Sequence, residues 1–199
     1  LGSQTGHAVA DVVFGDCSPS GRLPVSFPHD SGQQPFFYNH PRTGRPETPE
    51  MSEFKARWRE HPNSALYPFG HGLGYGRIEY GPTQVDAPAL EWDGSLQVRA
   101  TVANTGARAA EEVAQLYVHD RVGSRVRPVR ELKGFRKLRL QPGESREVVF
   151  TLSRAQLAFT GANGRYAAEP GAFDVWIAPS SAAGEPAQFR LLAPPHQPA

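Results

Sequence analysis

A mainly β fold, a two-layer sandwich preceded by a short αβ remnant and a long irregular linker, is what this sequence predicts, on three observations. Nineteen prolines and twenty glycines punctuate its 199 residues, a balance that suits many short strands joined by turns better than long helices. From Gly81-Pro82 onward, short alternating apolar runs recur between turn signals at the spacing of a sandwich. Before that point the pattern is one helix, one edge strand, and then more than forty residues with little periodicity. The expected division is a terminal αβ unit over 1–32, a linker over 33–81, the sandwich over 82–193 and a disordered tail over 194–199.

Residues 7–14 set Ala8, Val9, Val12 and Val13 at helical spacing, and Gly15 stands where left-handed backbone ends a helix. Ser18-Pro19-Ser20-Gly21 is turn chemistry. Leu23, Val25 and Phe27 then alternate with Arg22, Pro24 and Ser26, a strand that Pro24 and Pro28 confine to a sheet edge or a short pairing. A helix and edge strand that start so abruptly read as the last αβ unit of a layered α/β domain. Prolines at 35, 41, 46, 49, 62 and 68 interrupt the linker, although residues 52–60 are predicted to form one or two helical turns from a Ser52 cap. A loop of this length lies along a surface that orders it.

In the sandwich region, Leu96, Val98, Ala100 and Val102 form one face of the first clear strand, stopped by Asn104-Thr105-Gly106. Residues 113–119 are apolar on both faces, which predicts a central strand. Residues 132–140 supply a further strand or pair of strands, and Gln141-Pro142-Gly143-Glu144 turns into Val148, Phe150 and Leu152 at period two. Ser153 caps a helical turn through Gln156, and Asn163-Gly164 closes a hairpin between Leu157 and Tyr166. Phe173, Val175 and Ile177 share a face opposite Trp176, and residues 187–192 make the last strand.

Charge and composition exclude several functions. The formal net charge is +1, from 21 basic and 20 acidic side chains spread along the chain, so no field favours a nucleic acid or a membrane as partner. The basic run Arg121, Arg125, Arg127, Arg130 and Lys133 is broken by acids and reads as a solvated loop and strand face. No stretch approaches the roughly 18 apolar residues of a membrane span. Cys17, the single cysteine, cannot form an internal disulfide and reads as a small buried or half-buried residue. The opening Leu1-Gly2-Ser3-Gln4, without initiator Met or signal region, suggests a fragment or a processed product.

Candidate chemistry reduces to decoys. The seven histidines show no zinc-site spacing, so no metal or other cofactor is expected. Gly70-His71-Gly72-Leu73-Gly74-Tyr75-Gly76 lacks the strand, helix and Lys-Ser/Thr of a phosphate loop and reads as a glycine-rich bend. Glu111-Glu112 point to opposite strand faces, and Asp11 with Asp16 reads as solvated. No catalytic residue is assigned. The irregular loop around Asn39, Arg42 and Arg45 is a weak candidate for substrate binding, because polar loop tips are a usual place for recognition.

The stretch Ala10-Asp11-Val12-Val13-Phe14-Gly15-Asp16, followed by Ser18-Pro19-Ser20-Gly21-Arg22-Leu23-Pro24-Val25-Ser26-Phe27-Pro28, resembles the end of the second domain of family 3 glycoside hydrolases. The likeness continues through Thr43-Gly44-Arg45-Pro46, Tyr67-Pro68-Phe69-Gly70-His71-Gly72-Leu73-Gly74-Tyr75, Asn104-Thr105-Gly106, Gln115-Leu116-Tyr117-Val118, Glu131-Leu132-Lys133-Gly134-Phe135 and Glu169-Pro170-Gly171. At the start, Leu1-Gly2-Ser3-Gln4 departs from the Pro-Gly of many relatives.

The resemblance implies a fibronectin type III-like, immunoglobulin-like sandwich at the end of a retaining, exo-acting β-glucosidase. Its partners would be the upstream catalytic domains and, through them, a β-glucoside. In that family the nucleophilic Asp and the acid/base Glu lie upstream, so this chain should be inactive alone. A periplasmic or secreted location is also implied. Phe36, Phe37, Tyr38, Trp58, Tyr67 and Phe69 would then pack between domains. The alternative is a carbohydrate-binding or cell-surface module that exposes Trp92, Tyr117 or Trp176 as flat platforms.

Overall fold

The computed structural model describes residues 2–42 and 56–195. Helix α1 (Thr5–Val13) has Phe14 as its C-cap, and Gly15 leaves it at φ 85°. None of its residues is buried. The edge strand expected next does not join a sheet. Leu23 N–H donates to His71 O, Gly70 N–H to Leu23 O and Phe27 N–H to Tyr67 O, each at 2.8 Å, so residues 23–27 pair antiparallel with the linker's own residues 67–71. Pro24 and Pro28 carry no N–H to extend the ladder.

A 3-10 turn (Ser31–Gln33) follows, capped by Asp30, whose Oδ1 accepts Gly32 N–H at 2.9 Å. The buried Gln33 side chain accepts from His29 N–H at 2.8 Å and donates to Pro62 O at 3.0 Å, tying the two halves of the linker together. Of the helical turns expected over 52–60, residues 52–55 lie outside the described residues and 56–60 form no helix. There Asn63 closes a loop instead, accepting from Trp58 N–H and donating to Ala56 O. Most of the predicted tail, 196–199, also lies outside the described residues.

The remaining elements run β1 (Ile78–Tyr80), β2 (Gln84–Val85), β3 (Ala89–Leu90), β4 (Leu96–Asn104), β5 (Ala110–Asp120), β6 (Glu131–Leu140), β7 (Ser145–Leu152), α2 (Arg154–Leu157), β8 (Phe159–Thr160), β9 (Tyr166–Ala167), β10 (Gly171–Ala178) and β11 (Ala187–Leu191). In one sheet β4 has β7 along one side and β1 and β2 along the other. The second sheet runs β3-β11-β10-β5-β6, antiparallel except for β11 against β3. β1 pairs with β4 through Ile78 and Asn104, so the sandwich begins before residue 82.

The alternation read from the sequence fills the space between the sheets. Leu96, Val98, Ala100, Val102, Val148 and Leu152 of one sheet meet Leu116, Val118, Phe173, Val175 and Ile177 of the other. β5 is central, between β10 and β6. A bulge at Leu116/Tyr117 leaves Lys133 of β6 without a register partner. Asn104, fully buried, explains the Asn-Thr-Gly stop: its amide donates to Arg108 O at 2.7 Å and Leu140 O at 3.2 Å and accepts from Gly106 N–H at 3.0 Å. The hairpin predicted at Asn163-Gly164 is β8–β9.

Carboxylates at or near the surface fasten the turns and edges. Serine 124, through its hydroxyl and its N–H, holds the Glu169 carboxyl below its ordinary value of 4.5, and Lys137 does so for Glu111. Gln141 N–H and Arg146 do the same for Glu144, as Gly32 N–H and Ser31 do for Asp30. A carboxyl lowered by folding stabilises above its unfolded pKa, and that stability is lost as pH falls through the folded value. Burial shifts Asp120 the opposite way, so it opposes the trend. The midpoint of thermal unfolding should therefore fall as pH drops below about 4.5, and Glu169→Gln should flatten that decline in a melting series.

Candidate functional site

The outer face of the β3-β11-β10-β5-β6 sheet is where the linker and the sandwich become one object. Tyr117 of β5 and Trp176 of β10 sit opposite each other in register, point away from the main core, and are buried. Tyr38 and Phe69 of the linker cover them, with Tyr38 stacked on Phe69 at 4.1 Å and edge-on to Tyr117 at 6.1 Å. Arg130 lies 4.2 Å from the Trp176 ring and donates to Ala183 O at 2.7 Å. Burial pushes the Tyr117 phenol well above its ordinary pKa.

Between the aromatics, the buried Gln115 carboxamide donates to Gly70 O at 3.1 Å and Pro179 O at 2.6 Å, and its oxygen accepts from the Tyr117 hydroxyl at 2.6 Å. A Cβ on Gly70 would lie 2.1 Å from the Gln115 oxygen, and one on Gly76 would lie 2.2 Å from the Ala110 side chain. Gly72 and Gly74 instead face the N-terminal segment, where an added Cβ would lie 2.3 Å from Gly21 O and 3.0 Å from Pro19 O, so close backbone approach excludes side chains at all four glycines.

A buried ion pair makes a second tie. Arg22 of the N-terminal segment donates to Glu112 of β5 at 2.6 Å, with side chains only 11% and 6% exposed, and Tyr80 O–H donates to the other Glu112 oxygen at 2.8 Å. Burial first, and the Glu112 charge second, push the Tyr80 hydroxyl pKa strongly upward. Such a pair holds two segments in one geometry rather than adding much net stability.

Of the recognition candidates, Asn39 and Arg42 are exposed, while Arg45 lies outside the described residues. The backbone on either side of Asn39 is held, and Arg42 follows directly after the second anchor. Leu132 N–H donates to the Tyr38 hydroxyl at 3.1 Å, Val129 N–H donates to His40 O at 3.0 Å, and Pro41 stands opposite Pro128 in antiparallel register. Beside it, Pro35, Phe36, Phe37, His40 and Trp58 line an open cleft of about 420 Å³.

The other sequence candidates fall apart in space. Glu111 pairs with Lys137 at 2.6 Å, facing away from Glu112, and Asp11 and Asp16 are exposed. His29 stacks on His61 and His71 on Tyr67, and among the described residues no group of three metal-ligating side chains forms. Cys17 is exposed, a correction to its expected burial: it follows α1 at the wall of an open cleft shared with Arg108, Ala110 and Arg139, its N–H donating to Asp11 O. Tyr117 and Trp176 offer no platform, because the linker covers them, and Trp92 packs on the main core with Arg154 5.0 Å above its ring. Phe37, Trp58 and Tyr67 remain about half exposed. Sequence reading missed Gln115 and the Arg22–Glu112 tie; their signal was two polar residues, on opposite faces of an otherwise apolar strand.

Comparison with known proteins gives two family matches: residues 1–75 to the glycosyl hydrolase family 3 C-terminal domain and residues 112–181 to the fibronectin type III-like domain. A periplasmic beta-glucosidase of Salmonella typhimurium is 42% identical over 192 residues, covering 96% of this chain and 25% of that protein. A putative beta-xylosidase of Formosa agariphila is 37% identical, covering 93% of this chain and 23% of that protein. The crystal structure of a beta-glucosidase from Listeria innocua in complex with isofagomine superposes with a TM-score of 0.88 at 36% identity, covering 94% of this chain and 26% of that one. The chain thus spans about a quarter of the length of the curated relatives it matches.

Removing one member of the buried pair leaves the other charge uncompensated. Glu112→Gln should cost about 3–5 kcal/mol in denaturant unfolding, and the Arg22→Met/Glu112→Leu double variant markedly less than the sum of its singles.

Proposed function

Because this chain belongs to glycosyl hydrolase family 3, carrying that family's C-terminal domain sequence and a fibronectin type III-like domain, we propose that it is the structural C-terminal segment of an exo-acting, retaining β-glucosidase. In this reading it supports the catalytic domains and contributes no reacting group. The two carboxyl groups of a retaining site, about 5–5.5 Å apart, come from other domains of the same enzyme, and the substrate is a terminal β-D-glucoside. Relatives named as β-glucosidases support the glucosyl choice. A xylosidase among them marks the sugar as the finer part of the proposal.

One observation carries the supporting role. The N-terminal segment is tied to the sandwich directly through Arg22 and, by residues 23–27, to the linker that lies on it, yet it leaves apolar side chains open: Val9 is 55% exposed, Val13 67%, Phe14 83% and Val25 56%. Covering such side chains contributes about 1.5–3 kcal/mol each when burial is complete. The rest of the α/β domain is the surface proposed to cover them, so the sandwich holds the last unit of that domain in place. Within the same proposal, the loop bearing Asn39, Arg42 and Arg45 faces the rim of the substrate cleft.

Deleting residues 82–199 from the enzyme that carries this segment should lower its melting temperature and reduce soluble active protein several-fold. Unchanged melting and yield would rule out the supporting role.

A further inference from the structure

We infer that the sandwich takes part in substrate affinity without touching substrate: Tyr38, Val129 and His119, the last acting through Pro128, are positioning residues that hold the loop of Asn39 and Arg42 in its working shape. The inference rests on the proposed placement of that loop at the cleft rim.

Asn39 has a contact with the sandwich on each side. On the N-terminal side, Tyr38 is held by its ring, stacked on Phe69 and set edge-on to Tyr117, and by its hydroxyl, which accepts Leu132 N–H at 3.1 Å. Ring contacts fix the plane of the side chain, and the hydroxyl bond fixes how far the backbone stands from β6. On the C-terminal side, His40 O accepts Val129 N–H at 3.0 Å, and Pro41 faces Pro128. Residues 128 and 129 are themselves outside any strand, so their position depends on what holds them. Part of that support is His119 of β5, whose Nδ1 lies 2.7 Å from Pro128 O. A carbonyl oxygen only accepts, so Nδ1 carries the proton, and the tautomer follows from the partner.

Asn39 is therefore bracketed by two sandwich-held residues, and Arg42 follows the second anchor directly. Among the described residues neither side chain is engaged in a hydrogen bond, while the backbone beneath them is pinned at 38, 40 and 41. That is the arrangement a recognition loop needs: free polar ends on an ordered base, so that binding does not first have to order the loop. It also gives His119 and the loop of residues 121–130 a purpose that core packing does not require.

The test uses the full-length enzyme that carries this segment, with an aryl β-glucoside and a glucose disaccharide as substrates. Tyr38→Phe keeps the ring stack and removes one anchor; His119→Ala removes the support of Pro128; His119→Asn restores a donor close to Nδ1. Tyr38→Phe and His119→Ala should each raise KM about three- to tenfold, the equivalent of one hydrogen bond, with kcat changed less than about twofold, and His119→Asn should restore KM. In an Asn39→Ala/Arg42→Ala background, Tyr38→Phe should raise KM no further. If Asn39→Ala/Arg42→Ala raises KM while Tyr38→Phe and His119→Ala leave it unchanged, the positioning role is wrong and the rim placement stands. If Asn39→Ala/Arg42→Ala leaves KM unchanged, the rim placement fails and the positioning role falls with it.

Discussion

The Gln115 carboxamide decides how this chain is put together. On the outer face of a sheet, the apolar side chains of Tyr117 and Trp176 would demand cover, and a polar residue next to Tyr117 on the same face of β5 would demand partners. Gln115 meets both needs by binding the linker backbone at Gly70 O and the β10–β11 connection at Pro179 O, while accepting the Tyr117 hydroxyl. The linker can come that close only because residue 70 has no side chain. Its φ of 81° adds a conformational reason for glycine at the same position.

With that contact fixed, the rest follows by adjacency. Phe69 and Tyr38 close over Tyr117 and Trp176. Residues 67–71 then present their backbone to residues 23–27, which brings Arg22 to Glu112 and α1 to the same end of the molecule. A segment that looks like an unstructured connection is thus a third layer on the sandwich, and it joins the unit with the open apolar face to the one with the closed core. In this arrangement the buried polar groups Gln115, Arg22 and Glu112 serve to bind segments together.

Much of this was legible in the sequence, for identifiable reasons. Strand periodicity is local, so β4, β5, β7 and β10 could be read from alternation, and the hairpin from Asn163-Gly164. The family resemblance rested on motifs that the comparisons match over the same stretches. What could not be read was the choice of non-local partner. Residues 23–27 looked like the edge of a missing sheet, yet they pair with residues some forty positions later in the chain; alternation shows which face is apolar and not what covers it. For the same reason Tyr117 and Trp176 fitted either a binding platform or a buried face, and Cys17, expected inside, is outside. Glu112 and Gln115 lie in a strand read as apolar, and only geometry shows that Glu112 binds the N-terminal segment and Gln115 the linker.

The central claim is that linker and sandwich form one cooperative unit. Hydrogen exchange of the intact chain tests it at four amides: Val129, Leu132 and Ser181 of the sandwich, donated to the linker at His40 O, the Tyr38 hydroxyl and Phe69 O, and Gly70, donated within the layer that the linker makes with residues 23–27. The account predicts that these amides share the protection of the β5 and β10 amides and lose it in a single step with them. Rapid exchange at those four positions, beside a fully protected sandwich, would contradict it.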